Sequence, residues 1–312
     1  SKRSLTLDLR QPDGSARLRA LLREADVLVE NFKPGSLDRL GFGVAEVRAL
    51  NPRLIHCSIT GYGHTGPRRE QTGYDPIVQA ESGFMHITGS PDGPPTRTGI
   101  AMADYLAGLY AFGGILCALR ERDRSGRGQH VDIALYDAVL STLAMPAGVL
   151  QSGREPQRLG NAHSTIAPYE ALNAADGALM VAAPNQRLWA QLCAALDRPS
   201  LATDPRFSTN GDRAAHRPAL RAALEEALAS LTVDQAVGRL ETAGVPAGRV
   251  RTVSQGLADP QVEARQMLIP FDDDLLPGFR VLGNPMRLSE TPADTSRRAP
   301  FLGEHDGQGF AG

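Results

Sequence analysis

The sequence has few cysteines, and their arrangement does not suit a disulfide framework. Cys57, Cys117 and Cys193 lie far apart, show no C-x-x-C spacing, and each falls in or beside an apolar run. An odd number of thiols cannot all pair within one chain, which excludes the fully paired scaffold of a small secreted protein. We therefore expect free thiols and a reducing, cytoplasmic location.

An excess of charge of one sign is also lacking. The chain has 33 Lys and Arg against 35 Asp and Glu, for a net charge of −2, and it contains no basic stripe. We therefore expect no nucleic-acid partner and no binding to a membrane surface. We identify neither a run of about 18 apolar residues nor a signal-peptide pattern, so the sequence predicts no membrane span.

Several sequence motifs that identify common enzyme classes are missing. The sequence contains no GxGxxG dinucleotide fingerprint, no Walker phosphate loop, no GxSxG elbow and no HExxH pair. These absences weigh against a nicotinamide or flavin enzyme, a P-loop enzyme, a serine hydrolase and a zinc protease. The histidines and cysteines form no cluster with metal-ligand spacing, so we predict no metal site.

What is present is an alternation of strand and helix patterns. Residues 5–9 alternate as a strand, leucines at helical spacing follow, and residues 27–29 and 54–59 are short apolar runs typical of buried strands. This order predicts an α/β fold with an open, mostly parallel Rossmann-like sheet. Because the chain opens directly on a strand, we expect further sequence upstream of residue 1.

The length and composition favour two domains. A chain of 312 residues with 42% hydrophobic and 22% charged residues is an ordinary globular protein, longer than one hydrophobic core usually fills. We predict a large α/β domain at residues 1–175 and a smaller α+β domain at residues 180–270. Residues 275–312 are predicted to return to the large domain, with a strand at residues 281–288.

Asp104 is a candidate for chemistry, because it begins an apolar stretch that extends to about Leu119. Aspartate is a favoured helix N-cap, which is the structural interpretation. The same position suits a nucleophile, since a helix N-terminus favours the ionised carboxylate that attacks an activated acyl group. The two interpretations are compatible.

Two loops are candidates for ligand binding. Residues 30–35 follow a predicted strand, and loops at the carboxyl ends of parallel strands are where such sheets bind ligands. Arg39, about one helical turn further on, could reach a phosphate or lie in solvent. Residues 61–99 are rich in Gly, Pro, Thr and Ser, and long irregular stretches of this kind often carry function. We interpret His56 and His64 as structural or solvent-facing.

An ordered series of short segments extends along nearly the whole chain. The segments are residues 2–9, 26–41, 51–55, 61–63, 73–75, 125–129, 159–161, 244–248 and 302–305. Together they resemble the family III CoA transferases, the group of formyl-CoA transferase and carnitine CoA-transferase. The resemblance implies transfer of CoA from an acyl-CoA donor to a small carboxylate acceptor, CoA being a substrate and no cofactor being bound permanently. It also implies an interlocked homodimer.

The resemblance assigns residues to roles. Asp104 becomes the nucleophile, which forms a mixed anhydride with the acyl group and then an aspartyl-CoA thioester. Gly160 and Asn161 match the region of a glycine loop that closes over intermediates, although the long glycine run is missing, and Thr72 stands where some relatives have Lys. The residues implied to contact CoA are Leu7, Asp8, Leu9, Arg10, Asn31, Phe32, Lys33, Arg39, Thr72, Gly73, Tyr74 and Asp75.

Two alternatives remain open at this point. The 2-methylacyl-CoA racemase branch is similar throughout, but it uses a His as an acid/base group where this chain has Tyr74, and a tyrosine is a poor base at neutral pH. The second alternative is a catalytically silent CoA-binding subunit. It is motivated by the upstream strand, turn and helix that the relatives have and this sequence does not include.

Overall fold

The structure is a computed structural model that describes residues 2–270, 277–294 and 298–307. The chain divides into two compact units. The first contains Arg3–Gly160 and the described residues from Pro300 onward, and the second contains Asn161–Ala299. Of the predicted C-terminal segment, residues 271–276, 295–297 and 308–312 lie outside the described residues.

The first unit is built on a parallel three-stranded sheet in the order β1-β2-β3. The strands are β1 (Val27–Glu30), β2 (Ile55–Thr60) and β3 (His130–Ala134). The helices are α1 (Pro12–Glu24), α2 (Ser36–Arg39), α3 (Val44–Leu50), α4 (Asp75–Glu81), α5 (Met102–Ser125), α6 (Leu135–Leu140) and α7 (Ala144–Gln151), with a 3₁₀ turn at Ser141–Leu143. The parallel register, with Val27 opposite Ile55 and His56 opposite His130, confirms the predicted α/β class.

Helix α5 packs on the sheet through a face of small side chains. Ala103, Ala107, Ala111 and Ala118 are all buried, and the helix contacts both β2 and β3. It ends at Gly126, whose φ of 72° is the left-handed conformation that glycine adopts most readily. By length and composition alone α5 could cross a membrane, contrary to the sequence expectation. A single helix of this kind is weak evidence for a membrane span, and 22% of its apolar window is buried.

The opening segment is extended but is not a strand. Residues 5–9 form no ladder with any strand in the described part of the chain, so this prediction was wrong. The segment is held instead by side chains from the C-terminal end, since the Asp306 carboxylate accepts the Thr6 N–H at 2.7 Å. The alternation has another cause: Leu5, Leu7 and Leu9 face an apolar cleft while the polar residues between them do not line it.

The second unit contains an antiparallel sheet and a separate hairpin. The sheet has the order β4-β5-β6, and the hairpin joins β7 to β8. The strands are β4 (Tyr169–Ala174), β5 (Gly177–Ala182), β6 (Ala247–Arg249), β7 (Leu268–Pro270) and β8 (Arg280–Leu282). The helices are α8 (Gln186–Ala195), α9 (Ser200–Thr203), α10 (Asn210–Ala215), α11 (Arg217–Leu228), α12 (Val233–Thr242), α13 (Val253–Leu257) and α14 (Pro260–Ala264), with a 3₁₀ turn at Pro205–Phe207.

The core of this unit is built on leucines at helical spacing. Leu220, Leu224 and Leu228 lie on one face of α11 and are fully buried, packed with Trp189 and Phe207. The predicted strand at residues 281–288 is shorter than expected and pairs elsewhere: Arg280–Leu282 pairs with β7 inside this unit. Pro285, which has no N–H to donate, limits any further ladder.

One face of the parallel sheet is unusually polar for a buried surface. Glu30, His56 and Ser58 are all buried there, and His130 Nε2 lies 3.0 Å from Ser58 Oγ. The His56 ring meets His130 edge-on, and neither of its nitrogens has a hydrogen-bond partner among the described residues. Beside it is a cavity of about 10 Å³, about the size that holds one water molecule. His56 is therefore a buried structural residue.

Burial of this histidine predicts a pH-dependent stability. Burial, reinforced by the positive charge of His130 and His64 and opposed by Glu30 and Asp38, lowers the pKa of His56. The unfolded chain then binds the proton more readily than the folded one. The contribution of His56 to the free energy of unfolding is complete above its ordinary pKa of about 6.5 and declines as the pH falls below it.

When the pH is lowered from about 7.5 to about 5.5, we therefore expect the free energy of unfolding to fall less in His56→Phe than in the parent protein. Urea unfolding at these two pH values measures the difference. His86→Phe is the matched control because His86 is exposed, 3.6 Å from Glu155. An identical pH dependence in the parent and in His56→Phe would contradict the prediction.

Candidate active site

A polar cleft of about 440 Å³ lies at the carboxyl ends of β1 and β2, the edge at which parallel sheets bind ligands. Four segments form its walls: the loop after β1, the end of β2 with the loop up to the start of α4, the first turn of α5 and the start of α6. The lining residues are Asn31, Phe32, Lys33, Pro34, Thr60, Gly61, Gln71, Thr72, Gly73, Tyr74, Asp75, Asp104 and Leu135.

Asp104 is exposed to this cleft, but it does not cap its helix. Helix α5 begins at Met102, so Asp104 is its third residue, and the N-cap position belongs to Ala101, which makes no side-chain cap bond. The N-cap interpretation was therefore wrong. Partial burial, together with the nearby negative charge of Asp75, raises the pKa of Asp104 above its ordinary value. The result is a more basic carboxylate than a helix N-terminus alone would give.

The loop after β1 is anchored at both of its first two residues. The Asn31 side-chain amide donates to the Ile59 carbonyl at 2.5 Å, and the Phe32 N–H donates to Glu30 Oε2 at 2.7 Å. These bonds fix the loop against the end of β2. Phe32 and Lys33 are both exposed in the cleft wall, and the two bonds hold the backbone that carries them.

The second wall depends on two glycines that touch backbone to backbone. A Cβ added to Gly61 would lie 2.6 Å from Gly73 Cα, closer than real Cβ contacts occur. Outside this contact, the Arg68 guanidinium lies 3.9 Å from the centroid of the Tyr62 ring, and both side chains bond Glu81. The sequence analysis missed this cluster because its members are joined only by the folded loop.

The predicted CoA-contacting residues fall into three groups in the structure. Seven of them line the polar cleft: Asn31, Phe32, Lys33, Thr72, Gly73, Tyr74 and Asp75. Leu7 and Leu9 line an adjoining apolar cleft of about 260 Å³, and Phe32 belongs to both clefts. Asp8, Arg10 and Arg39 line neither.

The remaining predicted residues make local contacts. Arg10 forms an exposed ion pair with Asp8 at 2.9 Å, and Arg39 donates to Ser36 Oγ at 3.1 Å. The Gly160 N–H donates to the Gly89 carbonyl at 3.0 Å within the first unit, whereas Asn161 belongs to the second unit.

The arrangement combines an exposed carboxylate, an ammonium group and an apolar recess. Asp104 can act as a nucleophile or a base, Lys33 can pair with a phosphate, and the apolar cleft can take a flat ring. Within residues 2–270, 277–294 and 298–307, no group of three or more His, Cys, Asp or Glu side chains is placed to hold a metal ion.

Comparisons with known proteins identify relatives of the chain. A family model described as CoA-transferase family III matches residues 1–306. The chain is 43% identical to a succinate–glutarate CoA-transferase of Agrobacterium fabrum, covering 99% of the chain and 78% of that protein. It is 40% identical to an acetyl-CoA:oxalate CoA-transferase of Acetobacter aceti, with the same two coverages.

A human relative and a solved structure extend the comparison. The chain is 34% identical to the human succinyl-CoA:glutarate CoA-transferase, over 98% of the chain and 70% of that protein. The crystal structure of a CAIB/BAIF family protein from Brucella suis superposes with a TM-score of 0.86 at 44% identity, over 97% of this chain and 79% of that one.

Proposed function

The chain belongs to CoA-transferase family III, as its ordered sequence segments predicted, and from this we propose that Asp104 is the nucleophile that carries CoA from an acyl-CoA to a carboxylate. The observation that carries the proposal is the exposure of the Asp104 carboxylate in a cleft whose walls come from the segments that the resemblance connects with CoA. The raised pKa of Asp104 supports it, since a more basic carboxylate is a better nucleophile.

The reaction divides into four displacements without net oxidation. The Asp104 carboxylate attacks the thioester carbon, the C–S bond breaks, and CoA leaves as a thiolate from a mixed anhydride. The thiolate attacks the aspartyl carbonyl, which releases the donor acid and leaves an aspartyl-CoA thioester. The acceptor carboxylate then displaces CoA to form a second anhydride. Attack of the thiolate on its acceptor carbonyl gives the new acyl-CoA and restores Asp104.

Chemical trapping tests this course directly. The protein is incubated with an acyl-CoA, treated with hydroxylamine, digested and examined by mass spectrometry. We expect a hydroxamate on Asp104, because hydroxylamine attacks both the anhydride and the thioester at the aspartyl carbonyl. Omission of the acyl-CoA is the control. A hydroxamate confined to another carboxylate would contradict the proposal.

We propose that CoA spans the two clefts that share Phe32. The apolar cleft, with Leu7 and Leu9, suits the adenine ring, and the polar cleft suits the chain that leads to the thioester beside Asp104. Lys33, on the anchored loop between the two, is placed to pair with a phosphate through charge-assisted bonds. Arg10 directly follows Leu9 of the apolar cleft, and Arg39 lies six residues after Lys33 of the polar cleft. Both are further candidates for binding the phosphates of CoA.

Lys33→Ala is expected to raise KM for the acyl-CoA about ten-fold and to change kcat little, because one charge-assisted bond to the bound phosphate is lost. Initial rates at several ionic strengths measure this, and the variant should also lose part of the salt dependence. Arg48→Ala, on the exposed side of α3 and outside both clefts, is the control. Equal effects of the two substitutions would contradict a phosphate contact at Lys33.

The acceptor is proposed to be a small dicarboxylate. The relatives named above carry succinate, glutarate and oxalate in their names, and these acids share a second carboxylate beyond the one that accepts CoA. A panel of acyl-CoA donors assayed against dicarboxylates and matched monocarboxylates tests the class. Racemisation is the rival, and solvent deuterium entering the α-carbon of a 2-methylacyl-CoA would favour it.

A second copy of the chain is proposed to cover the apolar face of α5. Tyr105, Leu109 and Leu116 are exposed on that helix, with Leu109 at 68%, and surfaces of this kind usually mark an interaction site. This exposure supports the homodimer that the resemblance implies. Light scattering on the purified protein tests the proposal, and the mass of a single chain would contradict it.

The thiols support a cytoplasmic location. Cys57 and Cys193 are buried and free, and Cys117 is free on the exposed side of α5. Burial raises the pKa of Cys57 to about 11 and that of Cys193 to about 12, so both remain unreactive thiols. Free thiols of this kind fit a reducing compartment.

A further inference from the structure

Asp75 lines the cleft, but both oxygens of its carboxyl group are bonded to the protein. Asp75 is only 5% exposed. Its Oδ1 accepts the backbone N–H of Ala103 at 2.8 Å, across 28 residues of sequence, and its Oδ2 accepts a bond from Gln79 Nε2 at 2.8 Å. Ala103 immediately precedes Asp104. Both oxygens of Asp75 are thus used in holding the backbone beside the nucleophile.

Gln79 extends this contact to the chain that enters α5. It is fully buried, and its Oε1 accepts both the N–H of Thr98 at 3.1 Å and the Thr98 hydroxyl at 3.3 Å. One amide therefore joins α4 to the segment before α5, while its partner Asp75 joins α4 to the first turn of α5. The two side chains are one helical turn apart on α4, which places them on the same face.

The contact replaces a missing cap. The first N–H groups of a helix have no partner inside the helix, and Ala101 at the N-cap makes no side-chain bond. Asp75 satisfies one of these groups from a different helix, so the start of α5 is fixed relative to the cleft wall. A capping side chain at position 101 could accept a bond from an N–H of α5, but it would not connect α5 to α4.

We propose that Asp75 and Gln79 are a positioning pair for the nucleophile: they fix the first turn of α5 and, with it, the direction in which Asp104 enters the cleft. The inference rests on the proposed role of Asp104. It differs from the implied CoA contact at Asp75, because the hydrogen bonds of its carboxyl group are directed at the protein.

The charge of Asp75 gives the pair a second effect. The titratable residues that line the cleft with Asp104 are Asp75 on α4, Lys33 on the loop after β1 and Tyr74. After burial, the negative charge of Asp75 is the cause that raises the pKa of Asp104. Because Asp104 must be ionised to attack, the rate is expected to rise with pH through this raised pKa.

Two substitutions separate the geometric effect from the charge. Gln79→Met removes all three hydrogen bonds of the amide, to Asp75 and Thr98, with little change in size. We expect kcat to fall about 10- to 100-fold, with KM for the acyl-CoA within about two-fold of the parent. Asp75→Asn keeps an oxygen for the Ala103 N–H but removes the charge, and it also loses the bond from Gln79 because its NH2 group then faces the Gln79 Nε2 donor. It is expected to move the acidic limb of the kcat profile to lower pH, because the pKa of Asp104 falls.

Gln151→Met, at the exposed end of α7, is the matched control and should keep the parent kcat. Urea unfolding of each variant shows whether it is folded, and if Gln79→Met is not, the pH profile of Asp75→Asn decides. A parent-like kcat in Gln79→Met, or an unshifted pH profile in Asp75→Asn, would overturn the inference. A rise in KM with unchanged kcat in Asp75→Asn would assign Asp75 to CoA binding instead.

Asp104→Ala is assayed alongside to separate the two proposals. Full activity of Asp104→Ala would contradict the proposed function. An inactive Asp104→Ala together with a parent-like kcat in Gln79→Met would contradict only the positioning pair.

Discussion

Asp104→Ala is expected to lower kcat for CoA transfer by at least about 10³-fold. The other carboxylate among the lining residues, Asp75, is buried with both oxygens hydrogen-bonded and is not available to form the anhydride. Binding of the acyl-CoA should change little, since the proposed contacts at Phe32 and Lys33 remain. Initial rates of thioester transfer and a direct binding titration of the acyl-CoA measure the two quantities separately. The combination of lost turnover and retained binding is the result that the proposed chemistry requires.

Two further variants make this expectation specific. Asp104→Asn keeps the shape of the side chain but cannot attack a thioester, so its kcat should fall as far as that of Asp104→Ala. Asp123→Ala lies on the same helix, exposed near its other end, and should keep the parent activity. Activity within a few-fold of the parent in Asp104→Asn would mean that the carboxylate acts only by position or that another nucleophile exists.

Arg213→Met is expected to give the largest loss of stability, about 2–4 kcal/mol in the free energy of unfolding of the second unit. Arg213 is fully buried and its guanidinium lies 5.1 Å from the centroid of the Trp189 ring. It donates to the Ala167 carbonyl at 2.7 Å and to the Phe207 carbonyl at 3.1 Å. Methionine fills similar space, but it leaves both buried carbonyls without these donors.

The measurement uses the position of the tryptophan. Trp189 is the only tryptophan in the chain and lies in the core of the second unit, so its fluorescence during urea unfolding reports on that unit. Arg198→Met is the matched control, because Arg198 makes an exposed ion pair with Glu226 at 3.2 Å, which is worth at most about 1 kcal/mol. Similar unfolding midpoints for the two variants would show that the buried guanidinium does not contribute the predicted free energy to the stability of this unit.

The sequence was most informative where its pattern reflects burial along a single element. Leu220, Leu224 and Leu228 recur every four residues and form the buried face of α11, and the apolar stretch after Asp104 is the helix α5. The same reasoning failed at residues 5–9, because an extended segment beside an apolar cleft alternates as a strand does, whether or not a neighbouring strand exists. Periodicity reports which side is buried and says nothing about what covers it.

The candidate site was predictable in part, by resemblance more than by spacing. Asn31, Lys33 and Asp104 line one cleft, and the roles that the resemblance gives them stay predictions. The bond from Asp75 to the Ala103 N–H could not be predicted, since it joins residues 28 positions apart through tertiary packing. Gln79 had a weak local signal, being four residues after Asp75, but many polar pairs share that spacing and few are buried.

The backbone contact between Gly61 and Gly73 limits how this enzyme could be redesigned. Neither position accepts a side chain without moving a strand-to-helix connection, so the cleft cannot be reshaped from there. Thr72 and Tyr74 flank the contact with side chains in the cleft wall, and Tyr74 is 68% exposed. A mutant library aimed at bulkier substrates would therefore vary these two residues and leave both glycines untouched.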